Sequence, residues 1–148
     1  MLHIRKNVEA PNRHRLGVFL SSPKGAHMTR TRASAKSAGA THERAIADYL
    51  ALHVDDRIDR RVKTGAKDCG DIGGVRVLGN RIVLECKDYG GRILASEWIH
   101  EAEVEAGNDD AAAGIVIAKR RGTTVPGAQW VLMDVDTLIT LITGTKPQ

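Results

Sequence analysis

The 148-residue chain is long enough for one compact domain and too short for two of ordinary size. It is 42% apolar but only 3% aromatic, so its core has to be assembled from Ala, Val, Ile and Leu. No apolar run approaches the roughly 20 residues needed to span a bilayer; 82–84 and 115–118, for example, are strand-sized. Arg5 and Lys6 are not followed by the apolar stretch of about 7–15 residues that marks a secretory leader. These absences predict no membrane partner and a cytoplasmic location, in a bacterial or phage-infected cell. Cys69 and Cys86 form no CxxC pair and are expected to remain reduced thiols.

The net charge of +4 is unevenly spread. Residues 1–40 hold Arg5, Lys6, Arg13, Arg15, Lys24, Arg30, Arg32 and Lys36 against Glu9 alone, a local +7, which leaves −3 on residues 41–148. Such an arm either grips phosphates or is a solvated tail. It shows no sustained period of 2 or 3.6 and is broken by Pro11, Gly17, Pro23 and Gly25, so residues 1–40 are expected to be disordered. Residues 1–27 read as a leader, either upstream translated sequence or a cloning remnant ending at Gly25-Ala26-His27. The domain is expected to occupy 41–148.

Order is expected from Thr41, as N-cap of a helix over 42–52 whose inner side carries Ile46, Tyr49, Leu50 and His53. A short strand follows near 58–62, then a loop-like stretch through Gly74. Residues 75–78 and 81–87 read as a hairpin turning at Gly79-Asn80. A helix over 96–106 has Trp98, Ile99, Ala102 and Ala106 inward. Strands follow at 114–119 and 129–133. Asp134 or Asp136 caps a last helix with Leu138, Leu141 and Ile142 inward. This order predicts a mixed α/β fold, a mixed β-sheet flanked by α-helices.

The chemistry concentrates in Asp71, Glu85 and Lys87. Two residues apart on a strand, Glu85 and Lys87 share one face, and Ile82, Leu84 and Cys86 share the other, apolar one. Folding the hairpin brings Asp71 beside Glu85. Two carboxylates at one point repel unless a cation lies between them. Oxygen-only ligands favour Mg²⁺, with Mn²⁺ as a substitute. Lys87 could position water or neutralise phosphate charge. Taken singly, Asp71 also suits a turn before Gly73-Gly74, Glu85 and Lys87 an exposed ion pair, and Glu43 a helix-dipole partner.

Asp71, thirteen intervening residues and Glu85-Cys86-Lys87 resemble the PD-(D/E)xK nuclease motif. With Gly65-Ala-Lys-Asp-Cys-Gly-Asp71-Ile-Gly-Gly74, Thr41-His-Glu43-Arg44, Trp98, Lys119-Arg120-Arg121-Gly122 and Pro126-Gly127, the stretch 41–142 resembles phage-encoded Holliday junction resolvase-like nucleases, related to the archaeal resolvases. One departure is that Gly70, not proline, precedes Asp71. The resemblance implies a restriction-endonuclease-like core and a Mg²⁺-dependent endodeoxyribonuclease. Asp71 and Glu85 would ligate the metal with the backbone carbonyl of Cys86, Lys87 would orient the attacking water, and Glu43 would complete the catalytic set. Arg44 would lie near the DNA phosphates.

Lys63, Lys119, Arg120 and Arg121 are further candidate phosphate contacts. Such contacts read where phosphates lie rather than which bases they join, which favours recognition of DNA shape. A four-way junction has two symmetric cleavage points, for which a homodimer is the natural form. Three other readings stay open: a flap- or end-processing repair nuclease, a restriction-type enzyme, and a catalytically silent DNA-binding protein.

Overall fold

A computed structural model describes residues 31–62 and 67–148. The leader expected over 1–27 and the phosphate contact expected at Lys63 lie outside the described residues. Helix α1 spans Arg32–His53, so order starts nine residues ahead of Thr41, the expected first ordered residue. Thr31 is the N-cap, its side chain accepting from the Ser34 amide at 3.2 Å. The run Ala33-Ser-Ala-Lys-Ser-Ala-Gly-Ala40, taken as disordered, is helical because alanine carries the least helix cost. Thr41 lies within the helix, its hydroxyl donating back to the Ser37 carbonyl at 2.9 Å. The inner side is also rotated from the expected one. His42, Ile46 and Ala47 are buried, whereas Tyr49 and His53 are exposed and their rings lie 4.4 Å apart on the outer side.

The remaining elements are β1 (Asp59–Arg60), β2 (Ile72–Gly73), β3 (Arg76–Val77), β4 (Asn80–Lys87), α2 (Ala95–Asn108), β5 (Ala113–Ala118), a 3₁₀ turn (Pro126–Ala128), β6 (Trp130–Leu132) and α3 (Val135–Thr143). Three helices pack on a six-stranded mixed sheet of order β1-β2-β4-β5-β6, with β3 paired to β4. β4 and β5 run parallel across the α2 crossover and the other pairs are antiparallel. The hairpin turns at Leu78-Gly79, one residue earlier than expected, because Val77 pairs with Asn80. Leu78 and Gly79 have φ of 49° and 84°, the left-handed pair that a two-residue turn of type I′ requires.

β5 is buried at all six positions and separates two cores. Ala113, Ile115 and Ile117 face α1, joining Ile46, Ile58, Ile72, Ile82 and Leu84, with Leu141 of α3 against their edge. Val116 and Ala118 face α2, against Trp98 and Ala102. The buried side of α3 is Thr137 and Thr140; Leu138 and Ile142, expected inward, are exposed. The Thr140 hydroxyl bonds the Asp136 carbonyl at 2.8 Å, so it can be buried without an orphaned polar group. Asp134 is the cap, accepting from the Thr137 amide at 2.7 Å. Among the described residues no helix is long and apolar enough to cross a membrane. Both cysteines are free thiols.

α2 packs tightly on the sheet at Gly114, where an added Cβ would lie 1.9 Å from the Ala102 carbonyl oxygen. The oxygen is backbone on α2 and the Cβ would be fixed to buried β5, so neither can yield cheaply. Gly114→Ala is expected to destabilise the domain by about 2–3 kcal/mol or more. A urea melt with an unchanged midpoint would show that α2 can lift off β5 freely.

Candidate active site

The site forms where the loop before β2 meets the C-terminal half of β4. Gly70 has φ +84°, and a Cβ there would lie 2.3 Å from Val83 Cγ1. Proline, locked near −65°, could not take this conformation, which accounts for glycine ahead of Asp71. The close approach lets the Asp71 amide donate to the Leu84 carbonyl at 3.0 Å, and the Cys86 amide donates to Asp71 Oδ2 at 2.9 Å. N–H and C=O of one strand residue point to the same edge, so the Cys86 carbonyl opens toward Asp71. Ile72 lies in the α1 core, and strand alternation puts Asp71 on the α2 face with Glu85 and Lys87.

Asp71 and Glu85 are 4% and 5% exposed. Lys87 Nζ donates to Glu85 Oε1 at 2.9 Å and to Glu101 Oε2 of α2 at 2.5 Å. Glu85 Oε2 meets no hydrogen-bond donor, nor does Oε2 of buried Glu105, also on α2. Burial pushes the Glu85 carboxyl up to about 8; the Asp71 charge adds to this and the Lys87 hydrogen bond opposes it. Burial likewise raises Glu105 to about 7, with the charge of Asp68 adding to it and the charge of Lys87 opposing it. Lys87 is partly desolvated, yet its bonds to Glu101 and Glu85 hold its ammonium above the ordinary lysine range. The Cys86 thiol is pushed far up by burial, then by the charges of Asp71, Glu85 and Glu43, and stays protonated.

The structure thus gathers Asp71, Glu85 and Lys87. It adds Glu101 and Glu105, which sequence reasoning missed. Their signal was present: Glu105 lies seven residues after Trp98, hence on its inner side of the helix, and Glu101 is four residues before Glu105. Trp98 itself is 1% exposed and is a core anchor.

The other candidates stand apart from this cluster. Glu43 is on α1, against the opposite sheet face, and is clasped by the Arg60 guanidinium. Arg44 bonds Asp59 at 2.7 Å and Asp48 at 3.3 Å. Both line an open groove of about 720 Å³ with Lys36, Arg60 and Arg61. Lys119, Arg120 and Arg121 follow β5 and line a cavity of about 380 Å³ with Asp88 and Gly91. The Lys119 amide donates to the Lys87 carbonyl at 2.8 Å, so this cavity adjoins the carboxylate cluster.

Among the described residues no set of three or more His, Cys, Asp and Glu side chains is arranged to close on one ion. The donors present do fit a more open oxygen site. Asp71, Glu85 and the edge facing the Cys86 carbonyl offer hard oxygen ligands, and Mg²⁺ keeps several of its own waters. The orphaned, buried Glu85 Oε2 is the atom such an ion would satisfy.

No family model, curated protein or solved structure matches this chain.

Proposed function

We propose that the protein is a Mg²⁺-dependent endonuclease of the PD-(D/E)xK type, with a restriction-endonuclease-like core, that hydrolyses phosphodiester bonds of branched DNA as a homodimer. The observation that carries this reading is the buried Glu85 carboxylate, which has one oxygen on Lys87 and the other without a donor, beside Asp71. A purely structural ion pair would not place a second and a third carboxylate against the same buried group. The antiparallel β2–β4 arm running into the parallel β4–β5 pair supports the fold reading, because it presents these residues at the C-terminal end of a central strand.

Mg²⁺, when bound, supplies positive charge that offsets the charge on the scissile phosphate and acidifies nearby water. Asp71 and Glu85 would hold it, with the Cys86 carbonyl as a third donor. Lys87, fixed by Glu85 and Glu101, keeps a charged donor beside the phosphate and orients the attacking water. Lys119, Arg120 and Arg121 grip the strand beyond it. Glu43 and Arg44 belong to the second groove, where Arg60 and Arg61 add cationic surface for a further duplex arm.

Matched four-way junction, flap and linear duplex, incubated with Mg²⁺ or with excess EDTA at fixed salt, test the proposal. Cleavage is expected only with Mg²⁺ or Mn²⁺, fastest on the four-way junction and as paired symmetric nicks. Full activity in EDTA would remove the metal mechanism. Equal rates on junction and duplex would remove junction preference but keep the nuclease reading. Faster cutting of flaps would make it a repair-type nuclease.

A further inference from the structure

Lys87, Ala118 and Trp130 form one row across the sheet, Lys87 in register with Ala118 on β5 and Ala118 with Trp130 on β6. Directly paired residues point to the same face, and Ala118 faces the α2 side. Trp130 therefore shares the face of Glu85 and Lys87 and lies two strand spacings away, about 10 Å. Ala118, between them, is itself 1% exposed beneath Trp98 of α2, so the two side chains flank the edge of this small core.

Trp130 is 46% exposed, and the Arg120 guanidinium lies over its ring at 4.6 Å from the centroid. The pair is fixed from behind. Gln129 Oε1 accepts from the Arg120 amide at 2.8 Å, and Gln129 Nε2 donates to the Val125 carbonyl at 2.7 Å. Arg120 also lines the basic cavity with Lys119 and Arg121. Cations alone would serve a phosphate grip; a rigid, half-exposed indole beside them serves a flat, apolar ligand.

We infer that Trp130, with Arg120, is a stacking platform for an unpaired nucleobase a few nucleotides from the scissile phosphate. This rests on the nuclease reading of the Asp71–Glu85–Lys87 site and names the feature of the DNA that the site selects. The spacing of about 10 Å corresponds to roughly three base steps at ~3.4 Å each. Aromatic faces stack any base without reading its sequence. A base inside a duplex already has both faces covered by its neighbours, so the platform favours DNA that offers a free one. Branch points, gaps and flaps do so.

Intrinsic tryptophan fluorescence gives a direct test, because the other tryptophan, Trp98, is 1% exposed and shielded from DNA. The full chain is titrated, in excess EDTA to prevent cutting, with a gapped duplex and a fully paired duplex of equal length at fixed salt. Gapped DNA is expected to quench the fluorescence and to bind roughly tenfold more tightly, within the range for one base–aromatic stack. Trp130→Ala should abolish the preference and Trp130→Phe should keep it, both read by filter binding because neither variant retains the reporting indole. Equal binding of the two DNAs by the wild type overturns the platform. So does a preference that survives in Trp130→Ala, or a Trp130→Ala change in oligomeric mass with the preference intact, which would make the indole part of a protein contact. Mg²⁺-dependent cleavage by Trp130→Ala in any of those cases leaves the nuclease reading standing; its loss at Glu85 but not at Trp130 separates the two ideas. If Trp130→Ala misfolds by circular dichroism, the wild-type and Trp130→Phe titrations decide.

Discussion

Glu85→Gln is expected to lower DNA cleavage by roughly 10²–10³-fold or more, while raising the thermal stability of the metal-free protein near pH 8. The two effects have one origin. The Glu85 carboxylate is buried beside Asp71 and Glu105, and its charged form is disfavoured by burial and then by Asp71. The amide removes the charge at nearly constant volume. Its Oε1 can still accept from Lys87, and its Nε2 can donate to the orphaned Oε2 of Glu105. Stability gained on losing a charge, together with activity lost, marks a group kept for function rather than for folding. Asp71→Asn should also abolish cleavage, because a ligand charge is lost, and should leave the fold intact, since its amide oxygen can still accept from the Cys86 amide. DNA binding should survive both changes, because it rests on cations elsewhere. Rates of oligonucleotide cleavage, filter binding and melting temperature check the three parts. Wild-type turnover in Glu85→Gln would remove it from the site. A large drop in melting temperature would make the Lys87–Glu85 bond a structural ion pair instead.

The convergence of Asp71 with Glu85 could be read from the chain because it depends on two local rules, strand alternation and hairpin return. Both survive the one-residue shift of the turn to Leu78-Gly79, since the turn only has to bring the arms back antiparallel. Glu101 and Glu105 needed a longer-range fact. Helical spacing puts Glu105 on the Trp98 side of α2, but only the crossover between β4 and β5 shows that this side lies over Glu85. A carboxylate at an inner helical position contradicts the usual burial preference, and such local conflict is itself the legible sign of a site. The surroundings of Glu43 were less legible. Its helix was legible, but the side chain's partner Arg60 sits on a two-residue strand whose pairing with β2 no local pattern specifies. The start of α1 was missed because basic and glycine residues mask an alanine-rich helix whose only clear start signal is Thr31.

The metal-free protein should lose stability as pH rises from about 5 to about 8, and Mg²⁺ should restore it at the alkaline end. The folded chain holds protons on Glu85 to about 8 and on Glu105 to about 7, against an ordinary value of 4.5. Between those values the folded state binds more protons than the unfolded chain, so raising the pH favours unfolding. A loss of ~1–2 kcal/mol would read as several degrees of melting temperature in a domain of this size. His42 acts on the other side. Its imidazole is buried against the Ile117 carbonyl, with burial lowering its pKa below 6.5, so its contribution is lost as pH falls through that range. The wild-type curve therefore mixes two opposing slopes, and Glu85→Gln serves as the reference because it keeps His42 intact. The difference between the two melting curves in EDTA isolates the carboxyl pair and should widen with pH. Excess Mg²⁺ should compete with the Glu85 proton and raise the wild-type melting temperature at pH ~8 much more than at pH ~5, with little effect on Glu85→Gln at either. Parallel curves for wild type and Glu85→Gln in EDTA would mean that the carboxyl pair is already relieved by solvent, and a Mg²⁺ effect of equal size in both proteins would place the ion somewhere other than Glu85.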